Sequence, residues 1–147
     1  MSADVVRSHP ARSVAVALLE AASLPVSDLT DAHMEHFFYC GPDHAPTGMV
    51  GLQFCGRDAL LRSLVVIPAH RGTGLGALLV RHAEAYAHSR GARSLYLLTT
   101  TAETFFERRG YAAADRATAP EAIRATREFS DICPVSSAFL VKLLGFP

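Results

Sequence analysis

The chain has 147 residues, half of them hydrophobic, which is enough to bury the core of one globular domain. The 14 Lys and Arg residues balance the 14 Asp and Glu residues, and this balance argues against the basic surface that non-specific nucleic-acid or anionic-membrane binding needs. The three cysteines, at positions 40, 55 and 133, form no CxxC pair, so the sequence favours neither a zinc site nor a disulfide framework.

These features predict the compartment and the domain organisation. The first residues show no basic segment leading into an apolar one, and the longest apolar runs are far shorter than a membrane span. We therefore expect one soluble, cytoplasmic domain over residues 1–147, with no nucleic-acid or membrane partner and no metal ion.

The N-terminal third predicts a strand, a helix and a loop. Val5 and Val6 suggest a short first strand. Ser8 is a candidate helix cap, and apolar residues at helical spacing continue to about Ser23. Residues 27–35 read as a loop with one short helical turn.

The middle of the chain predicts an antiparallel meander followed by a crossover. Residues 36–40, 47–54 and 59–66 are β-type runs separated by turn-forming residues. An amphipathic helix over residues 74–90 then leads to an apolar strand over residues 94–99.

The C-terminal third predicts helices over residues 102–109 and 120–129 and a final strand over residues 138–144. The whole pattern predicts an α/β fold with a mixed sheet.

The most informative motif lies between a buried strand and a long helix. Gly72, Gly74 and Gly76 occupy alternate positions there, so the backbone can approach phosphate oxygens at a helix N-terminus. A dinucleotide-binding loop would follow the first strand and a P-loop would contain Gly-Lys-Ser/Thr, and neither condition is met. The glycines could also serve only to shape the turn. The context favours a pyrophosphate of the coenzyme A type.

Arg71-Gly72-Thr73-Gly74-Leu75-Gly76 resembles the cofactor motif of the GCN5-related N-acetyltransferase (GNAT) superfamily, and the order of elements agrees from residue 5 to 143. The resemblance implies a mainly antiparallel sheet of six to seven strands, flanked by helices, with splayed central strands. It also implies acetyl-CoA as cosubstrate. The implied cofactor-binding residues are Leu64, Val65, Val66, Arg71, Gly72, Thr73, Gly74, Leu75, Gly76 and Ala77.

A closer similarity extends from Leu60 to Tyr111 and includes the run Leu-Thr-Thr-Thr-Ala-Glu-Thr-Phe-Phe from residue 98. This pattern is similar to small arsenic-resistance N-acetyltransferases and to the acetyltransferase domain of amino-acid (glutamate) N-acetyltransferases. Both similarities imply a small amino-acid-like acceptor, and the superfamily implies a homodimer as one oligomeric possibility.

Acetyl transfer by direct attack needs an oriented amine, a polarised carbonyl and a proton for the thiolate. By resemblance, the backbone N–H of Val66 contacts the carbonyl. By the same resemblance, Phe106 occupies the position where many relatives carry a proton-donating tyrosine. Either a hydroxyl of Thr99, Thr100 or Thr101, or water, would donate the proton instead, or the thiolate would leave without a dedicated acid.

The acceptor-binding candidates are Arg62, on the strand before the glycine loop, and Thr100, after the next strand; Ser63 is a further catalytic candidate. Arg62, beside Ser63, is a charge within an apolar run, so it would either hold an acceptor carboxylate bidentately or pair with a surface acid. Glu103 would either receive the amine proton or occupy a helix first turn, and Glu35 is a second candidate base. His33 and His36 lack the spacing of a HExxH metal site.

Three functions remain open from the sequence: an acetyltransferase acting on a small amine, a peptide or protein acetyltransferase, and a CoA-binding regulatory module without catalysis. Arg62 and the amino-acid acetyltransferase similarity favour the first function. The missing tyrosine favours the third.

Overall fold

A computed structural model describes residues 5–132 and 136–144. The strands are β1 (Arg7–Ser8), β2 (Phe37–Cys40), β3 (Gly48–Cys55), β4 (Asp58–Val66), β5 (Ser94–Thr99), β6 (Ala112–Ala113) and β7 (Ala138–Leu143). The α-helices are α1 (Arg12–Ala21), α2 (Leu75–Ser89), α3 (Glu103–Glu107) and α4 (Glu121–Arg124). Short 3-10 segments cover Ala32–His36, Pro68–His70 and Arg116–Thr118, and a π-helical turn covers Glu128–Ile132.

In the described part of the chain the strands form one seven-stranded sheet, ordered β1-β2-β3-β4-β5-β7-β6. The pairs from β1 to β4 are antiparallel, β4 and β5 are parallel, and β7 is antiparallel to both β5 and β6. The mixed α/β sheet, the meander and the crossover through α2 are therefore confirmed. No helix among the described residues is both long and apolar enough to cross a membrane.

Helices cover both faces of the sheet because its central strands carry apolar side chains on both faces. On one face, buried α2 residues such as Leu79 and Ala83 pack with Leu61 of β4. On the other face, Leu19 of α1 packs against Val65, and Ile123 of α4 packs against Leu60. β4 therefore lies in the middle of the core.

Three predicted element boundaries were wrong at the ends of the chain. The first strand is Arg7–Ser8 and does not include Val5 and Val6. Ser8 does not cap a helix, because it pairs with Phe38 in β1, and α1 begins only at Arg12. The predicted helix over residues 120–129 is interrupted after Arg124 and resumes as the π-helical turn. The short strand β6 was not predicted, since two alanines carry no β-type signal.

The central strands separate beyond the middle of β4. β4 pairs with β5 only from Asp58↔Ser94 to Leu61↔Leu97, whereas both strands continue past these residues. The register with β3 shifts at the same point, where Met49 faces Val65 but Gly51 faces Arg62. β4 thus carries one extra residue, a β-bulge, and the predicted splay is present.

Ser63 lies in this bulge with φ 61°, in the left-handed region that most L-residues avoid. The bulge reverses the alternation of side chains: Arg62 lies on the face of Leu60, whereas Leu64 packs on the face of Leu61. The strain at Ser63 is thus coupled to the geometry that opens the sheet.

We expect Ser63→Gly to be at least as stable as the wild type, because glycine adopts a positive φ without strain. We expect Ser63→Val to lose more than about 1 kcal/mol, since a branched Cβ is especially unfavourable there. Urea unfolding of both variants measures the difference. Equal stabilities would show that the bulge imposes no conformational constraint.

Candidate functional site

The glycine loop connects the end of β4 to the start of α2. Gly72 and Gly74 have φ values of 77° and 89°, and a Cβ built at either position would meet no atom within 4 Å. Gly74 is the N-cap residue of α2, whose first-turn N–H groups have no partner within the helix. The loop thus exposes backbone donors beside open space, as an anion site requires.

A cavity of about 660 Å³ opens over this loop and the end of β4. Every predicted cofactor-binding residue lines it except Thr73, whose hydroxyl donates a 2.6 Å hydrogen bond to the His70 carbonyl. Arg71 and Arg109 add positive charge to the wall. His70 also lines the cavity, and its Nδ1 is buried with no hydrogen-bond partner among the described residues.

The backbone of Val66 faces the gap between β4 and β5. The next residue, Ile67, donates its N–H to Thr47 on the β3 side, and successive backbone groups along a strand point to opposite sides. The Val66 N–H therefore points toward the gap. The Val66 carbonyl accepts a 3.2 Å hydrogen bond from Nε of Arg71.

A second cavity, of about 420 Å³, occupies the continuation of the gap. Leu64, Thr101 and Ala102 line both cavities, so the two spaces adjoin. A ligand in the larger cavity would therefore meet a molecule in the smaller one near the middle of the gap.

Arg62 lies in the wall of the smaller cavity and is almost completely buried. Its two terminal nitrogens donate to the carboxylate of Asp28 at 2.6 and 2.8 Å, and its Nε lies 2.9 Å from Oε1 of Glu128. One Nη also reaches the Gln53 side chain at 3.4 Å. The fork predicted to hold an acceptor carboxylate is thus occupied by Asp28.

This cluster, defined as Arg62, Asp28 and Glu128, has perturbed ionisation. Burial raises the pKa of Glu128 to about 7; the charge of Arg62 opposes this rise and that of Asp28 adds to it. Burial also acts to raise the pKa of Asp28, but the hydrogen bond and charge of Arg62 outweigh it and hold that pKa below its ordinary value. The cluster carries a net charge of about −1 when both acids are ionised.

Of the remaining predicted site residues, three line the smaller cavity and Glu103 does not. Ser63, Thr99 and Thr100 line the smaller cavity, and the Thr99 hydroxyl oxygen accepts a 3.0 Å bond from the backbone N–H of Ala102. Glu103 is exposed in the first turn of α3 and lines neither cavity.

The position that carries a tyrosine in many relatives is apolar here. Phe106 is buried, lines the smaller cavity and packs edge-on against Tyr111. The Tyr111 hydroxyl donates to Glu84 at 2.8 Å, and it lines neither cavity. No tyrosine lines either cavity in the described part of the chain.

The histidines and cysteines have structural contacts. His36 lies 3.0 Å from the Tyr86 hydroxyl and packs edge-on against Phe54. Cys40 and Cys55 are buried, whereas Cys133 lies outside the described residues. Over residues 5–132 and 136–144, no three metal-binding side chains are grouped as a metal site.

The residues of the cavity walls that were missed from the sequence include Glu128, Ser137, His70 and Arg109. Glu128 stands among charged residues that read as a solvated helix face, so nothing in the sequence indicates its burial. His70 directly precedes the glycine motif, and Arg109 lies just after α3. Their positions beside these recognised elements could have indicated that they line the site.

A glycine loop that opens a helix beside a gap between parallel strands is the arrangement that the resemblance implies for an acetyltransferase. Over residues 8–111 the chain matches the acetyltransferase (GNAT) family, and it belongs to that family.

Two curated relatives match parts of the chain. Streptothricin acetyltransferase of Streptomyces lavendulae is 35% identical over 72 residues, which are 48% of this chain and 38% of the relative. Amino-acid acetyltransferase of Ralstonia nicotianae is 44% identical over 48 residues, which are 33% of this chain and 11% of the relative. The alignments thus span well under half of each relative.

Solved structures share the fold. N-acetylglutamate synthase from Neisseria gonorrhoeae, complexed with coenzyme A and N-acetyl-glutamate, superposes with a TM-score of 0.78 at 23% identity, over 97% of this chain and 35% of that chain. An aminoglycoside 6'-N-acetyltransferase complexed with coenzyme A superposes with a TM-score of 0.71 at 15% identity, over 97% and 99% of the two chains.

We expect Arg62→Met to destabilise the fold by about 3–5 kcal/mol near neutral pH, because it leaves two carboxylates buried without their cation. A carboxyl group whose folded pKa lies above its unfolded value stabilises the fold only while protonated. The loss should therefore grow as pH rises through about 7, the pKa of Glu128. Urea unfolding at several pH values measures it.

Arg12→Met is the matched control, since Arg12 and Asp31 form an exposed ion pair, with side chains 49% and 87% accessible. We expect a loss below about 1 kcal/mol there. Similar losses in the two variants, or a loss at Arg62 that does not change with pH, would contradict the electrostatic account of the cluster.

Proposed function

We propose that residues 1–147 form a single acetyl-CoA-dependent N-acetyltransferase domain that acetylates the amine of a small acceptor by direct attack. The observation that carries this proposal is the meeting of two cavities in the gap between β4 and β5. The larger one adjoins the glycine loop, and the smaller one holds the charged cluster. Family membership gives the reaction type, and the adjoining cavities give two substrates a common meeting point.

The larger cavity has the features that a coenzyme A diphosphate and pantetheine arm need. Open space above Gly72 and Gly74 leaves room for phosphate oxygens, and Arg71 and Arg109 complement their charge. The unpartnered Nδ1 of His70 supplies a further polar contact. Acetyl-CoA, when bound, supplies the activated thioester carbonyl.

The residues of the gap supply orientation and polarisation. The Val66 N–H would donate to the carbonyl oxygen as negative charge develops there, and it is held in place by the pairing of β4 with β3. We propose that the Thr99 hydroxyl, or water, donates the proton to the departing thiolate. A thiol of pKa about 8.5 leaves readily, so the absence of a tyrosine at position 106 does not prevent the reaction.

A small acceptor fits the smaller cavity better than a protein does, since about 420 Å³ lies in the range of small-molecule sites. An amino-acid-like acceptor, including an arsenic-bearing one, is supported by the sequence similarity and by the name of the Ralstonia relative. Arg62 does not carry this proposal, because its fork binds Asp28. Arg62 instead fixes the positions of the two acids.

We do not propose Glu103 as a catalytic residue, because it is exposed and lines neither cavity. It lies in the first turn of α3, where a negative charge is favourable.

We expect coenzyme A to raise the melting temperature, since a ligand that binds only the folded state adds about 2.7 kcal/mol at a hundredfold excess over its Kd. Gly74→Ala should weaken this binding by at least about tenfold, because its methyl group would enter the space above the loop. Calorimetric titration with coenzyme A measures the change.

Gly56→Ala provides the matched control for backbone strain. Gly56 also has a positive φ, 66°, with no atom within 4 Å of a built Cβ, but it lies in the β3–β4 turn away from both cavities. Both variants should lose similar stability, and only Gly74→Ala should lose affinity. Unchanged affinity in folded Gly74→Ala would refute the loop assignment.

We expect acetyl-CoA turnover with free amino acids and other small amines, and a kcat/KM at least about tenfold lower with a peptide, because a cavity of about 420 Å³ suits a small molecule. A panel that also holds an arsenic-bearing amino acid, an aminoglycoside and a peptide measures kcat/KM for each. A peptide acetylated as fast as the small amines would contradict the small acceptor. Coenzyme A binding without any turnover would favour the regulatory alternative.

A further inference from the structure

Glu128 is the one carboxylic acid among the described residues that line the smaller cavity. It is 4% exposed, and its Oε1 is anchored 2.9 Å from Nε of Arg62, so the side chain is held in a fixed orientation. A buried, oriented carboxylate beside a meeting point of two substrates has the position that a general base requires.

Ser137 gives a second, independent observation in the same cavity. Its Oγ is buried and has no hydrogen-bond partner among the described residues, while its backbone carbonyl accepts a bond from Arg116. Leaving a hydroxyl buried and unpaired costs about 1–3 kcal/mol, so this wall is complementary to a polar ligand. An ammonium group has donors for both Ser137 and Glu128.

The reaction needs such a base because the nitrogen lone pair of an ammonium group is unavailable for attack. At neutral pH, an alkyl amine with an ammonium pKa of about 10.4 is less than about 1% neutral. A group that removes this proton within the cavity therefore makes the abundant ionised form of the acceptor reactive.

We propose that Glu128 is the general base of the acetyl transfer, taking a proton from the acceptor ammonium while the Ser137 hydroxyl accepts a hydrogen bond from the same group. The assignment rests on the proposed function. It names the residue that activates the acceptor in the site described above.

The proton and electron balance is complete without a further reactant. The ammonium gives one proton to Glu128, and the freed lone pair forms the N–C bond to the thioester carbon. The C–S bond breaks with its electron pair on sulfur. The Thr99 hydroxyl or a water gives its proton to the thiolate, and the second nitrogen proton replaces the proton that this donor has lost. Glu128 then releases its proton to solvent, giving the amide, the thiol and one proton.

The surroundings of Glu128 suit this role. Arg62 from β4 and Asp28 from the loop after α1 face it, and His33 is electrostatically coupled to those two residues. Burial raises the pKa of the Glu128 carboxyl to about 7, which is close to the pH at which a base is most effective. Arg62 and Asp28 are positioning residues in this scheme.

Glu128→Gln keeps the shape of the side chain and removes the base. We expect kcat/KM for an alkyl amine to fall by at least about a hundredfold at pH 7 and to recover about tenfold per pH unit above it, as the neutral amine accumulates. The wild type should instead level off above about pH 7. The affinity for coenzyme A should stay within about twofold.

Glu121→Gln is the matched control, since Glu121 is exposed at the start of α4 and lines neither cavity. It should keep the wild-type pH profile. A folded Glu128→Gln protein with an equal loss at every pH, or with the wild-type profile, would overturn the base assignment and leave the proposed function intact.

The wild type alone tests the same point if Glu128→Gln does not fold. Two acceptor amines whose ammonium pKa values differ by about two units, such as a peptide α-amine and a lysine-type amine, are compared over pH. With Glu128 as base, the kcat/KM profile bends near pH 7 for both. A bend that follows each amine's own pKa would overturn the assignment, and no turnover with any amine would overturn the proposed function itself.

Discussion

The separation of β4 from β5 is the constraint on which the rest of the site depends. Parallel pairing between these strands ends at Leu61↔Leu97, and the bulge at Ser63 turns the remainder of β4 toward β3 alone. The sheet loses several inter-strand hydrogen bonds here, and Ser63 adopts an unfavourable φ. The packing of both sheet faces around β4 offsets these costs and preserves a polar gap within an apolar core.

The two ends of the gap, at the larger and the smaller cavity, are lined by residues of different charge. Arginines and helix N–H groups surround the larger cavity, whereas the cluster of Arg62, Asp28 and Glu128 carries one more acid than base at the smaller one. These charges favour a polyanionic ligand at the larger cavity and a cationic group at the smaller one. A buried ion cluster of this kind is seldom favourable for stability by itself. The cluster fixes the position of Glu128 in the wall of the smaller cavity.

Local sequence patterns predicted most of the fold because each element carries its own periodicity. β5 was predicted with its observed bounds, and α2 to within one residue at either end. The N-terminal helix start was wrong because Ser8 suits both a helix cap and an edge strand, and only its pairing with Phe38 decides between them. Such long-range pairing cannot be predicted from the neighbouring residues alone.

The two cavities differ in how far they could be predicted. The glycine loop is contiguous in the sequence, so its glycines and the helix that follows identify it within about a dozen residues. The smaller cavity joins residues from β4, the segment after β5 and the π-helical turn, which are far apart in the chain. Arg62 could be recognised as unusual from the sequence. Its partners could not be inferred, because Asp28 lies 34 residues before it and Glu128 lies in the π-helical turn.

The central claim is that the gap between β4 and β5 receives the thioester beside the glycine loop. Residue-resolved amide hydrogen exchange, with and without coenzyme A, tests this claim most directly, because protection reports on hydrogen bonds to individual N–H groups. We predict slower exchange at Val66 and across residues 72–77. Unchanged exchange at these amides, or protection confined to a separate cavity between α1 and residues 44–46, would contradict it.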